Sequence, residues 1–223
     1  MSHLAATTMK EIKMVDLQGQ YLRIKDEIDA AMQEVLMSTT FIQGPQVQTF
    51  ASALSKYNQE VITIPCANGT DALQIAMMAL GLQRGDEVIV PVHTYVATAE
   101  VIALLGLTPV FVDVDENTFT IDVTQIESKI TDKTKAIVPV HLYGQCADME
   151  PIMNISTRHN LFVIEDLAQA LGADYKMSNG SVKRAGTMGV IGTLHSFLPK
   201  TWDATAMVAR CSQMIRTLPA KYE

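Results

Sequence analysis

The chain has 223 residues, of which 48% are hydrophobic and 18% are charged, and its formal net charge is −7. This composition is typical of a globular protein with enough apolar material for one sizeable domain, or for one large and one small domain. The acidic balance and the lack of a basic cluster argue against nucleic-acid binding through a positive face. No apolar run has the length of a membrane span, so no membrane partner is expected.

The three cysteines, Cys66, Cys146 and Cys211, have neither metal-type spacing nor an even count. We therefore expect reduced thiols in a cytoplasmic protein rather than a disulfide framework. Residues 1–13 lack the apolar stretch of a signal peptide. They are expected to form a flexible polar lead, disordered or held by a partner.

The first folded segment is predicted to be helical. Between Leu17 and Phe50, apolar residues recur at helical spacing, and Phe41–Pro45 interrupts the pattern as a turn. A strand-like run, Val61–Pro65, follows and leads through a short loop into a helix at Thr70–Ala76.

Four later runs are typical of buried strands, because they are short, rich in β-branched residues and separated by helix-length stretches: Glu87–Val90, Val110–Val114, Ala136–Val140 and Leu161–Ile164. Strands that alternate with helices predict an α/β fold with a mainly parallel sheet covered on both faces. Ligands of such sheets bind beyond the carboxyl ends of the strands. The residues directly after each strand are therefore the candidate site residues.

After the first strand, Gly69 permits close backbone approach and Thr70 is a candidate helix cap. The N–H groups at a helix N-terminus form a phosphate site, although an ordinary capped turn explains the same residues. After the second strand, Tyr95 is either an aromatic that stacks on a flat ring or a rim residue. After the run that ends at Val140, His141 is either a base or a structural histidine.

Asp166 follows the last of these strands, and a carboxylate at the end of a buried strand is costly without a partner. A pyridinium nitrogen is one such partner, because pyridoxal phosphate enzymes use an acidic group to keep the ring protonated. Metal ligation is the rival interpretation. No second carboxylate or histidine is placed clearly enough in the sequence to support a metal site.

Together and in order, these segments resemble a known family. The matching blocks, which lie between about Lys13 and Gly192, are Cys66–Leu73, Gly85–Ile89, Thr94–Thr98, Pro109–Asp115, His141–Gln145 and Ile164–Gln169. They resemble the DegT/DnrJ/StrS-type sugar aminotransferases, a fold-type-I pyridoxal phosphate family. The resemblance implies that residues 14–192 form part of a three-layer α/β/α large domain with a mainly parallel sheet, truncated and without the C-terminal small domain.

The resemblance also implies roles. Gly69 and Thr70 would bind the phosphate of pyridoxal 5′-phosphate, and Tyr95 would stack on its ring. Asp166 would pair with the ring nitrogen, and Gln169 would lie near the phenolic oxygen. The family transfers the amino group of glutamate to a keto nucleotide sugar and works as a dimer with sites at the subunit interface.

The block Tyr143–Asp148 looks most like members that aminate 3-oxo nucleotide sugars such as UDP-2-acetamido-3-oxo-glucuronate. In this family the amino group passes from glutamate to the cofactor and then to the sugar. A lysine that bonds covalently to the cofactor moves the proton between the substrate carbon and the cofactor.

The sequence departs from the family after Gly192, where T-S-F-F-P-S-K-N-L-G-C-Y-G-D-G-G-A is expected. A reading frame shifted by one base explains the departure. Met and Trp each have a single codon, so the shifted codons that begin with their last base are determined by the sequence. The pairs Trp202–Asp203, Met207–Val208 and Met214–Ile215 then encode glycine, glycine and aspartate, at the places where the family has them. Residues 193–223 are therefore interpreted as an out-of-frame tail.

Lys200 occupies the position of the catalytic lysine by number, but its neighbours do not follow the family pattern. The chain as given is accordingly expected to be inactive. Two other hypotheses compete with a frame-shifted aminotransferase. One is a non-catalytic relative that binds pyridoxal phosphate or a sugar as a regulator, and the other is a short structural or interaction protein.

Overall fold

The computed structural model of the chain describes residues 16–195 and, for the backbone alone, residues 206–209. The chain divides into two compact units, Met1–Pro45 and Gln46–Glu223. The first unit contains helices α1 (Leu17–Arg23) and α2 (Lys25–Ser38). Asp16 caps α1, since its carboxylate accepts the N–H of Gly19 at 2.9 Å. The lead predicted for residues 1–13 lies outside the described residues.

The second unit alternates strands and helices. Its helices are α3 (Pro45–Tyr57), which begins at the unit boundary, α4 (Gly69–Ala79), α5 (Val96–Leu104), α6 (Val123–Ile126) and α7 (Met149–His159), with a 3₁₀ turn at Glu127–Lys129. Its strands are β1 (Thr63–Pro65), β2 (Glu87–Pro91), β3 (Thr108–Val112), β4 (Thr134–Ile137), β5 (Phe162–Asp166), β6 (Asp174–Lys176), β7 (Val182–Arg184), β8 (Ile191–Leu194) and β9 (Ala206–Ala209). None of the helices in the described ranges is long and apolar enough to cross a membrane.

The central sheet has the order β1-β9-β8-β5-β4-β2-β3. The five strands from β8 to β3 pair in parallel. Strand β9 is antiparallel to both of its neighbours, so β1 and β8 run in the same direction. The carboxyl ends of β1, β2, β4, β5 and β8 consequently point to one edge of the sheet, as predicted for a mainly parallel α/β fold.

The two faces of the sheet carry separate cores because successive side chains of a strand point in opposite directions. Val88 and Val90 pack with α4 and α5 residues on one face, whereas Ile89 packs with α6 and α7 residues such as Ile126 and Ile152 on the other. Two helical layers thus enclose the sheet, and the three-layer architecture expected from the sequence is confirmed.

Several element boundaries differ from the sequence prediction. The third strand covers Thr108–Val112 rather than Val110–Val114, and the fourth ends at Ile137, after which Val140 forms an isolated bridge to Asp166. The β6–β7 hairpin and strands β8 and β9 were not predicted. Strand β8 runs through Thr193 and Leu194, the first residues of the segment that the sequence assigned to a shifted frame.

The cap of α4 also differs from the prediction. Asn68, not Thr70, is the N-cap, because its backbone is extended and its Oδ1 accepts the N–H of Asp71 at 2.8 Å. Gly69 and Thr70 are therefore the first two helical residues. Their N–H groups lie in the turn where a helix has no backbone acceptors of its own.

Candidate active site

A cavity of about 420 Å³ opens at the carboxyl edge of the sheet. It is lined by the start of α4, the start of α5, the residues that follow β5, and the end of β8: Gly69, Thr70, Leu73, Tyr95, Ala97, Thr98, Asp166, Ala168, Gln169, Thr193, Leu194 and His195. All five residues expected to hold a cofactor lie in this lining. Residues up to 126 positions apart in the sequence are brought together because their strands end at one edge.

Asp166 is the buried carboxylate of the cavity and is only 6% exposed. Its Oδ2 accepts the hydroxyl proton of Thr98 at 2.9 Å, and its Oδ1 accepts the N–H of Ala168 at 3.2 Å. Burial raises the pKa of Asp166, while these two hydrogen bonds act in the opposite direction. Both of these donors are uncharged. A cationic or proton-donating ligand in the cavity would therefore stabilise the carboxylate further.

The N-terminus of α4 forms another part of the lining. The N–H of Gly69 donates to Nδ1 of His195 at 3.1 Å. A Cβ on residue 69 would lie 2.4 Å from Cβ of His195, so this close approach requires glycine. The helix N-terminus is suited to an anion, and His195 accepts one of its N–H groups in the structure.

Tyr95 and Gln169 complete the expected set. Tyr95 is the N-cap residue of α5 and is 75% exposed, so its ring is accessible at the cavity. Gln169 accepts the N–H of Tyr143 through Oε1 at 3.4 Å, and its carbonyl accepts the N–H of Gly144 at 2.9 Å. The loop after β4 is thus bound to the loop after β5.

His141 is a structural histidine rather than a residue of the cavity. It is fully buried, and its ring nitrogens bond to Glu165 and to the N–H of Ala147. Lys200, the position expected for the catalytic lysine, lies outside the described residues. Within the part of the chain that the structure describes, no group of three metal-ligating side chains occurs, at Asp166 or elsewhere.

Two residues of the cavity were not assigned a role from the sequence. Thr98 lies in the block Thr94–Thr98, and its spacing of four from Thr94 at the start of a helix was the available signal. His195 lies next to Gly69 through a contact between residues 126 positions apart, which no local pattern indicates.

Comparison with known proteins decides the family. The sequence model of the DegT/DnrJ/EryC1/StrS aminotransferase family matches residues 22–205. The chain belongs to this family. The match continues past Gly192, where the resemblance noted in the sequence ends.

Relatives within the DegT/DnrJ/EryC1/StrS family include a UDP-2-acetamido-2-deoxy-3-oxo-D-glucuronate aminotransferase of Pseudomonas aeruginosa. It is 52% identical over 165 residues, which cover 74% of this chain and 46% of that protein. A protein of Geobacillus stearothermophilus named "pleiotropic regulatory protein" is 48% identical over 188 residues, or 84% of this chain and 49% of that protein. The chain spans about half the length of the curated relatives it matches.

Solved structures of the family share the fold. An aminotransferase from Brucella abortus superposes with a TM-score of 0.82 at 36% identity, covering 93% of this chain and 57% of that one. The ntdA structure of Bacillus subtilis, "with bound cofactor pmp", gives a TM-score of 0.76 at 35% identity, covering 90% of this chain and 46% of that one.

Pyridoxal 5′-phosphate is the cofactor of this family, which confirms the cofactor expected from the sequence. The residues present fit it. Asp166 is a buried carboxylate whose hydrogen-bond donors are both neutral, and it faces the same cavity as the helix N-terminus at Gly69. A protonated ring nitrogen suits the Asp166 carboxylate, and a phosphate suits the helix N-terminus at Gly69.

Proposed function

We propose that the protein derives from a pyridoxal phosphate-dependent enzyme that transfers the amino group of glutamate to a keto nucleotide sugar. The observation that carries the proposal is the buried Asp166 carboxylate in a cavity that also contains a helix N-terminus and an accessible aromatic ring. These three features suit the ring nitrogen, the phosphate and the flat face of one ligand.

Each residue has a stated task in the proposal. Gly69 and Thr70 hold the phosphate with the first N–H groups of α4, and Tyr95 covers one face of the ring. Asp166 holds a proton at the ring nitrogen, and Gln169 lies near the phenolic oxygen. The bound cofactor supplies an electron sink for amino transfer. Lys200 or the lysine that a restored frame encodes would move the proton at the substrate carbon.

The substrate proposed is a 3-oxo nucleotide sugar. The supporting observation is the Pseudomonas aeruginosa relative, whose name gives UDP-2-acetamido-2-deoxy-3-oxo-D-glucuronate as the compound that it aminates. A homodimer and a cytoplasmic location belong to the same proposal and rest on the sequence resemblance. A role in surface-polysaccharide biosynthesis or related sugar biosynthesis is part of it as well.

A non-catalytic regulator is the second candidate, and it rests on the name of the Geobacillus stearothermophilus relative. A regulator needs only to bind pyridoxal phosphate or a sugar, whereas the first candidate also requires turnover. They are therefore separated by assaying the frame-restored protein for amino transfer.

The cofactor site is tested with pyridoxamine 5′-phosphate, which needs no lysine to bind. Its fluorescence is titrated with the 223-residue chain and with an Asp166→Asn variant. We expect saturable binding by the chain and at least about tenfold weaker binding by the variant, because a neutral amide interacts less favourably with a protonated ring. Equal affinities, or no binding by either protein, would contradict the proposed site.

A further inference from the structure

Two threonine hydroxyls and the Asp166 carboxylate form a chain of hydrogen bonds beside the cavity. Oγ1 of Thr98 lies 2.9 Å from Oδ2 of Asp166, and Oγ1 of Thr94 lies 3.1 Å from Oγ1 of Thr98. Thr98 is only 1% exposed, so water does not replace its hydroxyl in this contact. No local sequence pattern connects Thr98 with Asp166, since the two residues are 68 positions apart.

The direction of the hydrogen bonds follows from the number of protons. An ionised carboxylate only accepts, so Thr98 donates its single hydroxyl proton to Asp166. Its oxygen can then only accept from Thr94, which must be the donor of the second bond. The order Thr94 to Thr98 to Asp166 therefore holds when Asp166 is ionised, and it stabilises the charged form of that side chain.

Two backbone hydrogen bonds hold the main chain of Asp166 in place. The N–H of Asp166 donates to the carbonyl of Pro139 at 3.0 Å, and its carbonyl accepts the N–H of His141 at 2.8 Å. With the main chain held by these bonds, the orientation of the carboxylate depends on the two side-chain bonds, from Ala168 to Oδ1 and from Thr98 to Oδ2. Two of its lone-pair positions then remain available to a ligand in the cavity.

We infer that Thr98, supported by Thr94, is a positioning residue that orients the Asp166 carboxylate and stabilises its charged form for a protonated ring nitrogen. The inference concerns residues of this chain, and its use for the cofactor rests on the proposed function. Thr98 acts through Asp166 and has no assigned contact with the reacting atoms.

The surroundings of Asp166 define what must be held constant in a test. His141, at the exit from β4, and His195, after β8, are the titratable side chains that act on the pKa of Asp166 from neighbouring elements. Glu165 precedes it in β5 and is itself fully buried. All three side chains are retained in every variant compared, so a change in the titration of Asp166 reports on the hydroxyl that was removed.

The first experiment is a titration of the free protein by NMR. The 223-residue chain is labelled with ¹³Cγ-aspartate, and the Asp166 signal is assigned from Asp166→Asn. Thr98→Val removes the hydroxyl with little change of shape, Thr98→Ser retains it, and Thr120→Val is the control at a buried threonine bonded to Thr118. Circular dichroism confirms that each variant is folded, and Thr98→Ala replaces Thr98→Val if the latter is not.

In Thr98→Val the titration midpoint of Asp166 is expected to rise by about one pH unit, the size of effect that a hydrogen bond to a charged group produces. Thr98→Ser and Thr120→Val are expected to titrate like the parent chain. An unchanged midpoint in Thr98→Val overturns the inference. So does an equal rise in Thr98→Ser or Thr120→Val, since the hydroxyl of Thr98 would then not be the cause.

The second experiment measures pyridoxamine 5′-phosphate binding as a function of pH. Thr98→Val is expected to bind about tenfold more weakly near neutral pH, and the acid limb of its profile is expected at higher pH than in the parent. Parent-like affinity and an unmoved acid limb would count against the inference. If the parent chain binds no pyridoxamine phosphate, the proposed function fails, whereas the role of Thr98 is still decided by the titration of the free protein.

Discussion

His141 donates its Nε2 proton to Oε2 of Glu165 over 2.8 Å, and neither side chain is exposed to solvent. The other ring nitrogen, Nδ1, accepts the N–H of Ala147 at 3.0 Å. A ring nitrogen that accepts carries no proton, so the imidazole is neutral and Glu165 bears the charge. The pair joins the segment after β4 to the penultimate residue of β5.

Glu165 also binds the loop before β8. Its oxygens accept the N–H groups of Gly186 at 2.8 Å, Met188 at 2.7 Å and Gly189 at 2.5 Å. Four donors therefore surround one buried carboxylate, which compensates for its loss of hydration. Because Asp166 is the next residue, this arrangement also anchors the strand end that carries the cavity carboxylate.

Glu165→Gln is expected to lower the free energy of unfolding by about 3 kcal/mol, because the amide removes the charge and directs N–H groups at other donors. Urea unfolding followed by circular dichroism measures the change. Glu127→Gln is the matched control, since Glu127 pairs with Arg158 and His159 at the surface. Exposed ion pairs contribute little to stability, so a comparable loss in the control would contradict this role of Glu165.

Gly69→Ala should destabilise the second unit by about 1–3 kcal/mol and weaken pyridoxamine phosphate binding, because the new Cβ overlaps Cβ of His195. Thermal melting and fluorescence titration measure the two effects. His195→Gly removes the opposing Cβ, so Gly69→Ala is expected to cost much less in that background. If the cost is the same in both backgrounds, the contact with His195 is not its cause.

Asp166→Asn, made in the frame-restored enzyme, should reduce turnover by on the order of a hundredfold while the protein stays folded. The amide is nearly isosteric but cannot hold the proton at a ring nitrogen. Steady-state assays with glutamate and a 3-oxo nucleotide sugar measure the loss, and circular dichroism serves as the control for folding. Near-normal turnover would remove Asp166 from this role.

Restoring the reading frame near codon 193 is expected to give a yellow protein that absorbs as bound pyridoxal phosphate and transfers amino groups. The 223-residue chain is expected to show no turnover, because the residues around Lys200 do not follow the family pattern. Sequencing the gene across codon 193 is the companion measurement. Turnover by the chain as given, or a colourless restored protein after reconstitution, would refute the frame hypothesis.

Cys146 is expected to be unreactive in the folded protein. Burial, followed by the charges of Glu165 and Asp174, raises the pKa of its thiol to about 12, so little thiolate exists at pH 8. In a Cys66→Ser/Cys211→Ser background, its reaction with a disulfide reagent should be at least about a hundredfold slower in the native state than in urea. Equal rates in the two states would show that the site is open.

The central strands could be predicted from sequence because both faces of the sheet are covered. Val88, Ile89 and Val90 all had to be apolar, which produces an uninterrupted β-branched run. Strand β8 could not be predicted in the same way. Its residues include Gly192 and Thr193, which are buried through contacts with the Gly186 loop and with β5 rather than through an apolar pattern.

The candidate site was predictable to the extent that its residues follow strands. Gly69, Tyr95 and Asp166 each stand after a recognisable strand, and parallel strands end at one edge. Local spacing could not distinguish Asn68 from Thr70 as the cap, since either side chain can cap a helix. The assignment of residues 193–223 to a shifted frame stays a prediction, as does the role of Lys200.

The hydrogen bond between Gly69 and His195 spans 126 residues of sequence. Contacts of such long range form slowly, because the intervening chain must be ordered before its ends can meet. During synthesis, α4 leaves the ribosome well before β8, and the wall of the cavity stays incomplete until the later strand has joined β5. During refolding, the fluorescence change of bound pyridoxamine 5′-phosphate should therefore appear later than the helical circular dichroism signal. Occupancy of the cavity then reports the final step of assembly.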